Sequence, residues 1–371
     1  MQSKKSHVFL IYKAMIPSVM LCGHCQIEEL AAQDLIEYRH ACVRKVKKKD
    51  LDWADIILLC RLDTPYEYEL AQMLKKAHKT IAYIMDDDLL HVPAHFSSGA
   101  HYAKEEVQVS IKKMIAMSDA ILSPSPMLLS KYTRCDQKGI LLEEPAIAPL
   151  GYTPHDPVKP VRIGFAGSTD RTDDIEMILG DALTRIKEEY GDKVEFIFYG
   201  VVPPCAAALG AQCIPYSSSY DSYRKTMNAL QIDIGLAPMP DTEFHACKHY
   251  NKFIEYAASN TVGIFSDVKP YDRLKERLGW KLICDNTSDS WYRAIKQLLD
   301  HPDKLDHLKQ QVADMVATRF HVQVIAKELW SELQTLTYKP NERISAPYFF
   351  IAQSKALCRQ LADGMKRRIK R

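Results

Sequence analysis

The sequence predicts an α/β protein made of two Rossmann-like domains. Three observations predict it. The chain has 371 residues, more than one hydrophobic core comfortably serves. Short apolar runs alternate with amphipathic stretches from His7 to Tyr132, which calls for a parallel sheet covered by helices. A second alternation starts at Val161, after a segment carrying Pro145, Pro149, Pro154, Pro157 and Pro160. Such proline density excludes regular structure and marks a linker.

In the first domain, residues 1–150, strands are expected at His7–Tyr12, Asp55–Cys60, Thr80–Met85 and Ala120–Ser123. Helices fit Gln26–Tyr38, Pro65–Ala77, Tyr102–Met117 and Pro126–Tyr132. In the second, residues 151–337, strands fit Val161–Ala166, Val194–Tyr199, Ile232–Leu236, Val262–Phe265 and Lys281–Cys284. Its helices fit Asp173–Tyr190, Tyr220–Leu230, Ala246–Ser259, Ser288–Asp300 and Lys304–Phe320. Two such domains leave a cleft between them, and ligands bind beyond the carboxyl ends of the strands.

Composition narrows the class. An apolar fraction of 47% and a charged fraction of 26% are ordinary for a globular protein. A formal net charge of +2 makes no case for a nucleic-acid partner. No run reaches the roughly 18 apolar residues of a membrane span. The apolar core of Val8–Tyr12 is too short for a signal peptide and is cut by Lys13. The ten cysteines lack framework spacing and read as reduced thiols of a cytoplasmic protein.

The segment HACKHYNKFIEYAASN conflicts with helix stability. On one helix, Lys248, Lys252 and Glu255 fall at i, i+4 and i+7 and share a face. Two lysines four apart repel, and Lys248 in the first turn opposes the helix dipole. Local rules broken without compensation mark functional positions. A bound diphosphate removes the conflict, since helix amides and two ammonium groups would meet it. Glu255, deeper along the helix, suits ribose hydroxyls. The other reading is a solvated face with a Lys252–Glu255 ion pair.

This segment, within ALQIDIGLAPMPDTEFHACKHYNKFIEYAASNTVGIFSDVKPY, resembles the signature of family 4 glycosyltransferases and their divergent bacterial relatives. VRIGFAGSTDRTDDIEMI resembles their entry to the nucleotide domain. The resemblance implies the GT-B fold, a metal-independent retaining transfer from a nucleotide-sugar, and no cofactor. It implies that Glu255 binds the ribose and that Lys248, Lys252 and Arg171 hold the diphosphate, Lys252 with a catalytic share. The Gly167-Ser168 turn would bring backbone amides to a phosphate. Cys247 stands where many members carry a donor-contacting Glu, with Glu243 four residues off. An inactive binding protein of the same fold is therefore the competing reading.

WADIILLCRLDTPYEYELAQMLKKAHKTIAYIMDDDLLHVP resembles the acceptor domain of those relatives. Asp86 or Asp87 takes the place of a catalytic or sugar-contacting group. A metal site and a helix N-cap are the other readings of the cluster completed by Asp88. Arg61 would neutralise these acids or bind an anionic acceptor. Cys22-Gly23-His24-Cys25 has dithiol spacing, without the surroundings of a thiol–disulfide site; in the transferase reading His24 touches the acceptor or a donor phosphate. The acceptor would be a glycan, a lipid-linked sugar or a protein in cell-surface polysaccharide synthesis. The tail, residues 338–371, carries Lys355, Arg359, Lys366, Arg367, Arg368, Lys370 and Arg371. It suits peripheral contact with the inner face of a membrane, or a solvated helix.

Overall fold

In the first half of the chain, six strands form one parallel sheet: β1 (Ser6–Tyr12), β2 (Ile36–Cys42), β3 (Ile56–Cys60), β4 (Thr80–Ile84), β5 (Ala120–Ser123) and β6 (Lys138–Leu141), in the order β2-β1-β3-β4-β5-β6. This computed structural model describes residues 5–217, 219–336 and 344. The inner strands β3 and β4 are buried at every position, as continuous apolar runs in a two-sided parallel sheet should be. Helices α1 (Cys25–Ala32), α2 (Pro65–Lys76), α3 (Glu105–Met117) and α4 (Pro126–Tyr132) cover it. The start of α2 is written locally: Thr64 and Glu67 form a reciprocal capping box, with Pro65 at the first helical position.

A second parallel sheet holds β7 (Val161–Ala166), β8 (Val194–Tyr199), β9 (Gln212–Ile214), β10 (Ile234–Ala237), β11 (Val262–Ser266) and β12 (Ile283–Cys284), ordered β12-β11-β10-β7-β8-β9. It packs with α5 (Thr172–Tyr190), α6 (Tyr220–Leu230), α7 (Asn251–Ala258), α8 (Ser288–Asp300) and α9 (Pro302–Thr318). In each sheet the strand order reverses once, between β1 and β3 and between β7 and β10. Those switch points are where open α/β sheets admit ligands.

Several expectations change. The helix expected over Gln26–Tyr38 ends at Ala32, and Ile36–Cys42 becomes edge strand β2. Edge strands bury one face at most, so IEYRHAC has no apolar run to announce it. β6 and β9 escape the pattern for the same reason. The helix expected over Ala246–Ser259 is two pieces, Glu243–Ala246 and α7. Phe244, His245, Cys247, His249 and Tyr250 are all buried. One helix buries a single stripe, so the chain turns between the pieces to place all five inside.

Among the described residues, the two compact units are Lys5–Glu143 with Ala326–Leu336, and Glu144–Ile325. The second starts earlier than residue 151 because the linker is bonded to it. Ala146 N–H donates to the Phe320 carbonyl and Leu150 N–H to that of Ala258, at 2.9 and 2.8 Å. It ends earlier than 337 because helix α10 (Val322–Leu333) carries Ala326, Leu329 and Leu333 into the first domain's core, followed by Leu336. Apart from Ile344, the basic tail lies outside the described residues.

Candidate functional site

At the switch point of the second sheet, the loops after β7 and β10 are tied by Arg171. Its guanidinium donates to the Pro238 carbonyl at 2.6 Å and to Asp174 Oδ2 at 2.8 Å. The loop after β10 is braced from behind. Met239 N–H donates to Ser266 Oγ at 2.8 Å, and Asn286 Nδ2 donates to the Met239 carbonyl at 2.8 Å. The loop after β7 is held by Gly200, whose φ is +82°. A Cβ there would lie 2.0 Å from the Gly167 carbonyl oxygen, so only glycine fits.

Helix α7 supplies the next two groups. Lys252 Nζ donates to Glu255 Oε2 at 2.6 Å, and Tyr223 on α6 donates its hydroxyl to the same oxygen at 3.1 Å. Lys252 also reaches the Tyr223 hydroxyl at 3.3 Å. The pair is not a solvated face, since the side chains are 19% and 12% exposed. Burial works against the Lys252 ammonium, and the Glu255 carboxylate outweighs it, holding its pKa above the usual value. Tyr223 stacks on Tyr199 with centroids 5.2 Å apart. Burial, then Glu255, keeps its hydroxyl protonated well beyond the ordinary range.

Burial pushes Tyr271 up to about 12, while Arg171 and Lys252 pull it down and Glu255 pushes it up. Two expected contributions differ. Lys248 lies in the turn before α7 with its ammonium 4.7 Å over the Phe244 ring, not on the helix face with Lys252. The Gly167 amide donates to the Tyr199 carbonyl at 3.0 Å and is spent on the sheet, whereas Ser168 is exposed. Cys247 is 1% exposed and Glu243 is exposed.

In the first domain, Arg61 follows β3 directly with a left-handed φ of 52°, an unusual backbone for a residue with a side chain. Its guanidinium donates to Asp86 Oδ1 at 2.5 Å, to Asp87 Oδ2 at 3.5 Å and to Ser18 Oγ at 3.3 Å. Burial opposes the Arg61 charge, and Asp86, Tyr102 and Asp87 raise its pKa. Beside it Lys13 and His101 engage buried Asp63, the histidine at 3.2 Å.

The three aspartates part company. Asp88 is 1% exposed and turns to α4, where Lys131 Nζ donates at 2.9 Å and Tyr132 donates its hydroxyl. His91 Nδ1 lies 3.0 Å away. The N-cap reading fails, because the next helical residue is Gly99. Among the described residues no group of three or more His, Cys, Asp and Glu side chains gathers to hold a metal. His24 is engaged by β2: its Nδ1 is 2.9 Å from the Tyr38 hydroxyl, and its ring meets His40 edge-on at 4.7 Å. The dithiol reading also fails. Cys22 is 1% exposed, and burial with Glu28 pushes Cys25 up to about 11, the reverse of an activated thiol.

No protein-family model matches the chain, and no curated protein matches it by sequence. Solved structures do match. The sucrose-phosphate synthase of Thermosynechococcus elongatus is 12% identical with a TM-score of 0.59, over 90% of this chain and 99% of that one. Anabaena HepE in complex with UDP and glucose is 11% identical with a TM-score of 0.55, over 89% and 99%. A Listeria monocytogenes protein described as a UDP-N-acetylglucosamine 2-epimerase is 12% identical with a TM-score of 0.56, over 92% and 100%.

The chain has the GT-B fold. Within that fold, Lys252, Glu255 and Tyr223 are bonded together, Arg171 ties the loops after β7 and β10, and Arg61, Asp86 and Asp87 meet at the strand ends of the first sheet. Tyr223, Gly200 and the Lys13–Asp63–His101 group were missed by sequence reasoning. Only the Tyr220–Tyr223 spacing hinted at the first of these, and nothing linked it to Glu255. No described helix is long and apolar enough to cross a membrane.

Proposed function

We propose that this protein is a glycosyltransferase that takes a nucleotide-sugar donor, needs no metal and retains anomeric configuration. The observation that carries the reading is the buried Lys252–Glu255–Tyr223 group on α7 and α6, in the domain whose switch-point loops Arg171 ties together. Glu255, already oriented by Lys252 and Tyr223, accepts hydrogen bonds from the ribose. The diphosphate lies against Arg171, Lys252, the exposed Ser168 turn and the start of α7, with Lys248 adding long-range positive charge. As the glycosidic bond breaks, the leaving diphosphate gains charge, and these fixed cations stabilise it. Neighbours of the same fold that bind UDP support the donor class.

The acceptor hydroxyl is assigned to the Arg61–Asp86–Asp87 group. Asp86 takes the short contact with Arg61, and Asp87, at 3.5 Å and 26% exposed, is the carboxylate placed to meet it. His24 serves the same acceptor from the edge of β2. That acceptor is a glycan, a lipid-linked sugar or a protein of cell-surface polysaccharide synthesis. A thermal-shift screen of nucleoside diphosphates and nucleotide-sugars tests the donor half. Stabilisation by none of them would remove the site assignment.

Two further readings are separated by the products. The likeness to an epimerase of comparable coverage favours a donor that changes configuration without an acceptor. Buried Cys247 favours a protein that binds the donor and neither transfers nor hydrolyses it. Chromatography of a labelled donor, with and without acceptor, distinguishes the three.

A further inference from the structure

Residues 44–49 read Arg-Lys-Val-Lys-Lys-Lys, five cations in six positions, concealed by a net charge of only +2. The run leaves the carboxyl end of edge strand β2 through the turn Val43–Lys45 and enters a short helix, Lys48–Trp53. Val43 and Val46 are buried and fix it to the domain. Arg44, Lys45, Lys47 and Lys49 are exposed. The nearby carboxylates are already committed, Asp52 to Lys48 at 2.5 Å and Asp50 to Arg39 at 3.0 Å. Among the described residues, those four exposed cations have no carboxylate partner.

A charge run alone is a common solvated feature. Here it has an apolar neighbour. The loop leaving β1 exposes Met15 and Ile16, each 39% accessible. The two segments lie side by side, because Tyr12 pairs with Cys42 across the strands and Cys42 Sγ donates to the Lys13 carbonyl at 2.9 Å. Uncompensated cations beside exposed apolar side chains are what an interfacial surface presents to lipid. The apolar groups enter the boundary of the acyl chains, and the cations meet anionic headgroups.

We infer that this corner of the first domain rests on an anionic lipid bilayer. The inference uses no residue of the donor site and stands without it. The strands of the first sheet are parallel, so the carboxyl ends of β1 and β2 lie along the same edge as Arg61. If the transfer reading holds, a lipid-linked acceptor is the class this surface would serve.

Flotation of the full chain with vesicles tests it. Binding is expected to vesicles of phosphatidylcholine with phosphatidylglycerol, to be absent with phosphatidylcholine alone, and to weaken as salt rises. Lys45→Gln/Lys47→Gln/Lys49→Gln should weaken binding roughly fivefold per residue, on the order of 100-fold together. Met15→Ser/Ile16→Ser should weaken it several-fold. A tail variant, Arg367→Gln/Arg368→Gln/Lys370→Gln/Arg371→Gln, should keep most of it. Parent-like binding by the triple glutamine variant overturns the inference, as does loss of binding in the tail variant alone. Tighter binding to RNA homopolymer than to vesicles, unaffected by Met15→Ser/Ile16→Ser, would make the surface a polyanion site and equally overturn it. Circular dichroism melts of every variant report folding, and nucleoside diphosphate titration of the parent, read separately, keeps failure of the donor reading apart from failure of this one.

Discussion

Replacing Glu255 by alanine removes a carboxylate that holds two donors at once. In the free protein its Oε2 accepts from Lys252 at 2.6 Å and Tyr223 at 3.1 Å. Both side chains of the ion pair are mostly buried, at 19% and 12% exposure. Breaking a fully buried pair costs about 3–5 kcal/mol. The residual exposure here screens the orphaned ammonium, so a loss of about 1–3 kcal/mol is expected, a melting temperature lower by several degrees for a domain of this size. Binding should fall separately. A charge-assisted hydrogen bond to ribose is worth about 1.5–3 kcal/mol, so Kd for a nucleoside diphosphate should rise roughly 10- to 150-fold. Calorimetric titration of parent and variant with UDP and its purine counterparts measures this, alongside thermal melts. A destabilised variant that binds as tightly as the parent would refute the ribose role and leave Glu255 as a structural partner of Lys252.

Lys252→Ala should lower kcat by about 10²–10³-fold, the cost of losing one group that stabilises developing charge, with a smaller change in donor affinity. Steady-state kinetics in which KM rises and kcat holds would contradict it. Gly200→Ala should destabilise the second domain by about 1–3 kcal/mol and weaken nucleotide binding, because its Cβ would meet the Gly167 carbonyl at 2.0 Å. Denaturant titration and calorimetry check both effects, and a neutral outcome would show that the β7 loop yields freely. Burial would raise the Asp88 pKa, yet hydrogen bonds from Tyr132, His91 and Lys131 win and lower it. A depressed folded-state pKa gives stability that is present above the unfolded value, near pH 4, and lost as pH falls through the folded value. Asp88→Asn should therefore cost about 1–3 kcal/mol at neutral pH, with the difference from the parent shrinking in melts below about pH 4.

Legibility followed burial. The strands covered on both faces, such as IILLC and VRIGFA, were readable because each is an apolar run of strand length between turn residues. The edge strands β2, β6 and β9 were not, since half-exposed residues carry little pattern. The split in the helix expected over Ala246–Ser259 had the same origin. Spacing showed Lys248, Lys252 and Glu255 on one face, and the demand to bury His249 and Tyr250 broke that face before α7 began. Asp86, Asp87 and Asp88 looked equivalent in sequence. Lys131 and Tyr132, more than forty residues away, draw Asp88 aside.

The sequence by itself determined two α/β domains and the proline-rich segment between them, and offered the pairing of Lys252 with Glu255 as one of two readings of its helix, because each depends on residues close together in the chain. The tertiary structure alone decided which groups join them. Arg171 meets Pro238, Tyr223 meets Glu255, Gly200 admits Gly167, and α10 returns to the first core. Each of these contacts spans 32 residues or more. Their partners are chosen by strand order, which places distant loops side by side and which no local pattern of residues encodes.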